Sequence, residues 1–225
     1  QDELSYDRFH SKSGRIYRGV VDLKLGENVF LGSIMPAPFA QTAVETYPEV
    51  LKAARLRRRG NRMVRVSGRE MDNIEETRVV YADPDFFDIF SFPVVAGDPI
   101  VGLAKPHTVA ISQATKEKYF PVEDAIGQNL LMSDETEYQV VAVYEDMPAH
   151  SHLHFDLICS LETLDEADNT NWVSYNFSTY LLLTEEADAQ ALEQKLTGLV
   201  DQYVIPQVLQ FLGSETDEGL GGNHF

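Results

Sequence analysis

The stretch Tyr81-Ala82-Asp83-Pro84-Asp85-Phe86-Phe87-Asp88-Ile89-Phe90-Ser91-Phe92-Pro93-Val94-Val95-Ala96-Gly97-Asp98-Pro99 runs from the end of a strand, through a helix start, to a turn. Asp83-Pro84-Asp85 has the composition of a helix N-terminus. Asp83 stands at the cap, proline takes the first helical position, where its missing N–H costs nothing, and a second acid sits in the first turn. The short helix this predicts carries Phe86, Phe87, Ile89 and Phe90, a dense aromatic load for one or two turns. Phe86, Phe87, Phe90 and Phe92 therefore read as core rather than as exposed binding contacts. Gly97-Asp98-Pro99 reads as a turn.

Upstream, residues 16–25 mix apolar and polar side chains in near alternation and predict a strand. Pro36 and Pro38 precede Phe39, Ala40, Ala43, Val44 and Tyr47, which are spaced for one helical face, and Pro48 closes that helix. Residues 50–59 read as a strand, Gly60-Asn61 turns into another at 63–66, and 77–82 is the next. Downstream, 108–112 reads as a strand whose Ser112 caps a helix reaching Tyr119, and 130–132 with 138–144 read as a hairpin. Residues 152–160 alternate most cleanly: Leu153, Phe155, Leu157 and Cys159 on one face, His152, His154 and Asp156 on the other. Tyr180-Leu181-Leu182-Leu183 predicts a strand covered on both faces. Leu192, Leu196, Leu199, Val200 and Tyr203 share one helical face that ends before Pro206, and from Gly213 the chain turns polar and glycine-rich, as in a mobile tail. Each end supplies a strand followed by a helix, with a β-rich insert between them, which makes the fold class α+β.

Charge divides the chain. Residues 1–69 carry 13 Lys/Arg against 7 Asp/Glu, whereas residues 70–225 carry 5 against 29, giving the net -18. That excess of acid argues against a nucleic-acid partner. Eight of the basic residues lie between Lys52 and Arg69 with no acid among them. The exposed candidates there, Arg55, Arg57, Arg58, Arg59 and Arg62, define a surface for anionic lipid head groups or an acidic partner, against the plainer reading of a solvated strand face. The single cysteine, Cys159, excludes a disulfide framework and reads as a buried small hydrophobe.

Catalytic signatures are missing. The sequence holds no GxxxxGK[ST] phosphate loop, no GxGxxG after a strand and no GxSxG elbow. One metal-like pattern exists: His150-Ser151-His152-Leu153-His154, whose alternate imidazoles on a strand would project to one side and reach a common cation. The competing reading is a polar solvent face, since no third ligand can be located.

The opening stretch resembles the D-x-x-F-F-x-x-F-x-x-P-x-x-x-G-D-P signature of MacB-like periplasmic core domains, found in FtsX-like ABC-transporter permeases. Val109-Ala110-Ile111-Ser112 through Tyr119-Phe120 to Ile126-Gly127 is similar to a second block of that family. Tyr138 to Asp156 is similar to a third, with Pro148, Ser151, His152, Phe155 and Asp156 in place. Pro121, Ala125 and Ala142 depart from the pattern at local turns. The start, from Asp2 to His10, resembles the segment that follows the first membrane helix and reads as the interior of a longer chain.

The resemblance implies an architecture: an extension over 1–13, a porter-like α/β subdomain from 14–80 and 157–212, a β-rich subdomain inserted at 81–156, and a flexible tail over 213–225. It implies a non-enzymatic, extracytoplasmic domain of a multi-pass inner-membrane permease, with no cofactor of its own. Its expected partners are an ABC ATPase subunit or domain, a second copy or paired permease, and an extracytoplasmic adaptor or cargo. A second reading of the residues is a free-standing extracytoplasmic binding module that uses the histidine strand and a metal.

Overall fold

The computed structural model describes residues 10–25, 28–70, 72–133 and 135–218. One large mixed sheet organises them. Its first half is centred on β14 (Tyr175–Leu183), which pairs antiparallel with β1 (Ile16–Arg18), β4 (Met35–Pro36) and β5 (Val50–Arg57). Beyond β5 come β8 (Val79–Ala82), β13 (Leu157–Ser160), β10 (Thr108–Ser112) and β12 (Glu137–Tyr144), with β8–β13 and β10–β12 parallel. The edge of β12 away from β10 is shared by β9 (Val94–Gly97) and β11 (Asn129–Met132), and β6 (Arg62–Val66) and β7 (Ile74–Glu76) follow β11. A separate hairpin joins β2 (Val21–Leu25) to β3 (Asn28–Gly32).

That order cannot be flat. Arg57 and Arg62 are five residues apart, so their Cα atoms lie within about 18 Å. Six strand spacings separate β5 from β6 along the sheet, roughly 29 Å on the flat. The sheet therefore curls back on itself. Inside the curl, Tyr81, Val109, Ile111, Leu130, Met132, Val140, Val64 and Val66 share one core. β6 and β7, expected within the subdomain built from the chain ends, thus pair with β11 at the far end of the sheet, because Val64 and Val66 belong to that core.

Two further cores flank the sheet. Phe86, Phe87 and Phe90, from α2 (Phe86–Ile89) and the residue after it, join Leu103 of α3 (Pro99–Leu103) against Ala110, Ala142 and Ile158. Phe39 and Ala43 of α1 (Ala37–Thr46) join Leu192 and Leu199 of α5 (Ala189–Leu199) against Leu181 and Leu183. α4 (Gln113–Tyr119) begins at Ser112 as expected, with Ser112 Oγ accepting from the Thr115 amide at 3.2 Å. β14 is covered on both faces: Leu182 enters the aromatic core while Leu181 and Leu183 enter the α1/α5 core.

Several elements depart from the sequence reading. The strand expected over 152–160 covers only Leu157–Ser160. Before it, the Leu153 amide donates to Ser151 Oγ at 3.0 Å and the Phe155 amide to Met147 Sδ at 3.3 Å, so side chains take the donors a ladder would use. Leu153 and Phe155 consequently pack in the aromatic core with Ile158, while Leu157 and Cys159 face into the curl. The strand over 16–25 breaks at Gly19, whose amide donates to the Thr179 carbonyl at 2.8 Å and where a Cβ would lie 2.8 Å from Met35 Cγ. Gly97-Asp98-Pro99 opens α3, with Asp98 Oδ1 accepting from the Ile100 and Val101 amides at 3.0 Å. The C-terminal helix does not stop at Pro206. A π-helical turn over Val200–Val204 joins α5 to α6 (Ile205–Glu218), accommodating the proline's missing N–H. The tail expected from Gly213 is helical to Glu218; its remainder lies outside the described residues.

Candidate functional site

The arginine run is largely turned inward. Arg55 donates to Asp83 from Nε and Nη2, both at 2.9 Å, and from its own amide at 2.7 Å. Its Nη1 reaches the Ala167 carbonyl at 2.6 Å, and the guanidinium lies 5.6 Å from the Phe177 ring centre. Asp83 therefore does not cap α2; its carboxylate is committed to Arg55. Arg57 Nε donates to Glu166 at 2.7 Å, with Arg59 at 4.0 Å from the same carboxylate. Arg58 lies 4.9 Å over the Phe155 ring. Arg62 has left with β6, where Nη1 donates to the Asn61 carbonyl at 3.3 Å. Of the five arginines, only Arg58 and Arg59 are exposed.

The histidines sit on irregular chain rather than on a strand, so the alternation that would have aligned them is missing. His150 and His152 are exposed and His154 is half-buried. Among the described residues, no three His, Cys, Asp or Glu side chains are placed to hold one metal ion. Asp156, next in line, is half-buried, and that burial raises its carboxyl pKa against the opposing pull of Arg78.

More concentrated is the ground beneath the entering chain. His10 is 2% exposed and packs edge-on to Phe90 and Phe92, with ring centres 5.1 and 5.0 Å away. Its Nδ1 accepts from the Ser91 amide at 3.0 Å, and Ser11 Oγ meets Ser91 Oγ at 2.9 Å. Lys12 donates to the Asp88 carbonyl. From below, Lys52 Nζ donates to Asp85 Oδ1 at 2.8 Å and to Asp88, and those two bonds raise the Lys52 pKa. The end of α2 is thus clamped between the entering segment and β5. Phe86, Phe87, Phe90 and Phe92 are all core, as their spacing suggested. No local signal announced His10, Ser11 or Lys12, because their partners lie 76–81 residues away.

At the other end, Tyr203 of the π turn stacks on Trp172 at 4.4 Å and 6°. Gln207 Oε1 accepts from the Trp172 amide at 2.8 Å. Between this helix and the preceding loop lies a cavity of about 370 Å³ lined by Thr170, Asn171, Val173, Gln207, Gln210 and Phe211. The segment from His10 and the C-terminal helix therefore both pack on the β14 half of the sheet. No helix among the described residues is long and apolar enough to cross a membrane.

The described residues thus form a curled mixed sheet on which the entering segment and the C-terminal helices both pack. The family model described as the MacB-like periplasmic core domain matches residues 1–199, and the chain belongs to that family, the periplasmic domains of MacB-like ABC transporter permeases. Solved structures share the fold. A domain of a protein described as a permease from Porphyromonas gingivalis superposes with TM-score 0.73 at 20% identity, over 87% of this chain and 84% of that one. The periplasmic region of MacB from Actinobacillus actinomycetemcomitans gives 0.56 at 13%, over 75% and 73%. The extracellular domain of the noncanonic ABC-type transporter YknZ from Gram-positive bacteria gives 0.53 at 14%, over 80% and 87%. No curated protein matches the chain.

Proposed function

We propose that this domain belongs to a multi-pass permease and carries movement of its membrane helices, driven by a cytoplasmic ABC ATPase, to export, extraction or signalling outside the membrane. The observation behind this reading is the shared anchorage of the chain ends. β1 pairs with β14 at Ile16–Leu182, Tyr17–Leu181 and Arg18–Tyr180, and α5 packs Leu192 and Leu199 on Leu181 and Leu183 of the same strand. Displacement at either end acts on one stiff element rather than dissipating in loops. A hinge-type change between two states would be read out by the distal part of the sheet, where an adaptor or cargo would engage.

Ser11 and Ser91 provide the test, since their hydroxyls meet at 2.9 Å. Cysteines at both positions are close enough for a disulfide. In the parent permease with its ATPase, oxidation of Ser11→Cys/Ser91→Cys would weld the entering segment to α2. ATP turnover coupled to transport should fall and return on reduction. Unchanged turnover in the fully cross-linked complex overturns the reading, as would a parent gene without hydrophobic spans.

A further inference from the structure

Between β12, which ends at Tyr144, and β13, which begins at Leu157, the chain carries Leu153 and Phe155 into the aromatic core without forming a strand. Phe155 is 2% exposed, and side chains hold both of its backbone polar groups. Its carbonyl accepts from the Tyr144 hydroxyl at 2.9 Å, and its amide donates to Met147 Sδ at 3.3 Å. A thioether is a weak acceptor, yet it stands where a neighbouring strand would offer a carbonyl. Backbone pairing resumes only at Asp156, whose amide donates to the Arg78 carbonyl at 2.9 Å. Met147 thus closes 148–155 back onto the core, next to a strand that serves two cores at once: Leu157 and Cys159 of β13 face the curl, and Ile158 faces the aromatic side.

The described methionines differ in what an oxidant would find. Met35 and Met132 are buried, at 8% and 2% exposure, whereas Met63 is 39% exposed and, among the described residues, accepts no hydrogen bond at its sulfur. Met147 is half-buried against the edge of the aromatic core, so it is open to a small peroxide and also holds a backbone amide. We propose that Met147 is a redox-sensitive latch, whose oxidation by a hydroperoxide to the sulfoxide releases Phe155 and loosens 148–155 from the aromatic core. In that step the sulfur lone pair attacks the peroxide, and the O–O bond breaks as the S–O bond forms. Sulfur gives up two electrons, and the proton of the transferred oxygen passes to the departing hydroxide, which leaves as water. A contact of 3.3 Å between sulfur and amide nitrogen has no room for an oxygen between them, since an N–H···O bond alone spans about 2.7–3.2 Å. An oxygen pointing elsewhere puts a polar group at the edge of an apolar core and draws the side chain toward water. Either outcome frees the Phe155 amide, and enzymatic reduction of the sulfoxide reverses it.

The test treats the whole chain, carrying Met63→Leu, with hydrogen peroxide and follows oxidation by peptide mass spectrometry and amide exchange by NMR. Met147 should oxidise well ahead of Met35 and Met132. In the oxidised chain the Phe155 amide should exchange about tenfold faster, the loss of roughly one hydrogen bond, while the Val140 and Ile158 amides keep their protection. Methionine sulfoxide reductases of both stereospecificities, supplied with dithiothreitol, should restore the slow exchange. Met147→Leu, which lacks the acceptor, should show the fast Phe155 exchange before peroxide and no response to it. Three results overturn the proposal, and none needs the Met147 variant to fold. They are a Met147 that oxidises no faster than Met132, an oxidised chain whose Phe155 exchange is unchanged, and a loss of protection that spreads across the sheet or survives the reductases.

Discussion

Arg55 and Asp83 show how much one pair can carry when it lies between elements. Their side chains are 15% and 14% exposed, and the pair ties β5 and the end of β8 to the 3-10 turn Asp165–Asp168, through the Ala167 carbonyl. Such a pair adds little net stability relative to apolar replacements, but removing one partner strands the other charge away from water. Arg55→Ala should therefore cost on the order of 3 kcal/mol in urea denaturation, the low end for a buried pair because some exposure remains. Arg58→Ala, which loses a cation–ring contact at the surface, should cost about 1 kcal/mol or less. Equal effects of the two variants would contradict this account. Asp156 makes an opposite case. Burial raises its pKa in the folded state, so between the ordinary aspartate value near 4 and the raised one the folded chain binds more protons than the unfolded chain. Stability contributed by this group is then lost as pH rises through that window. Asp156→Asn should raise the unfolding midpoint at pH 7 and leave it nearly unchanged near pH 3. A lower midpoint at pH 7 would show that the Arg78 contact outweighs burial.

Short elements here depend on single backbone positions. β9 leaves its pairing with β12 at Gly97, whose φ of +77 is strained for any other residue and where a Cβ would lie 2.1 Å from the Val141 carbonyl. Gly97→Ala should therefore cost well over the roughly 1 kcal/mol of an ordinary glycine replacement and, by hydrogen exchange, open 94–103 before the rest of the sheet. Uniform exchange would contradict that local role. The α1 start at the prolines, the Ser112 cap and the double-sided β14 were legible in sequence because they rest on local chemistry. Two kinds of feature were not. Alternation over 152–160 mimicked a strand because Ser151 and Met147 side chains, rather than a neighbouring strand, satisfy the backbone there. The position of β6 beside β11 is a long-range choice that no local pattern encodes. At the candidate site the same division holds: the aromatic core was readable from Phe spacing, whereas the docking of His10 through Lys12 depends on contacts with residues far along the chain.

At the scale of the molecule, the three cores are not separate bodies, because single strands serve two of them at once. β13 sends Leu157 and Cys159 into the curl and Ile158 into the aromatic core. β14 sends Leu182 into the aromatic core and Leu181 and Leu183 toward α1 and α5. Melting one core would strip one face of a strand whose other face is needed by the next, and the backbone ladder runs unbroken from β1 to β7. A two-subdomain reading of the sequence, with junctions near 80 and 156, leads naturally to two unfolding steps; shared strands lead to one. Calorimetry should give a single transition whose van't Hoff and calorimetric enthalpies agree. Leu182→Ala should shift that whole transition downward by the 2–5 kcal/mol typical of a buried leucine, with circular dichroism and Trp172 fluorescence moving together. Trp172 lies in the α1/α5 core, stacked on Tyr203, and so reports on a region that Leu182 does not enter. If fluorescence held its midpoint while circular dichroism lost amplitude earlier, the cores would be separable. Movement at the entering segment would then dissipate between separable cores rather than reach the distal part of the sheet.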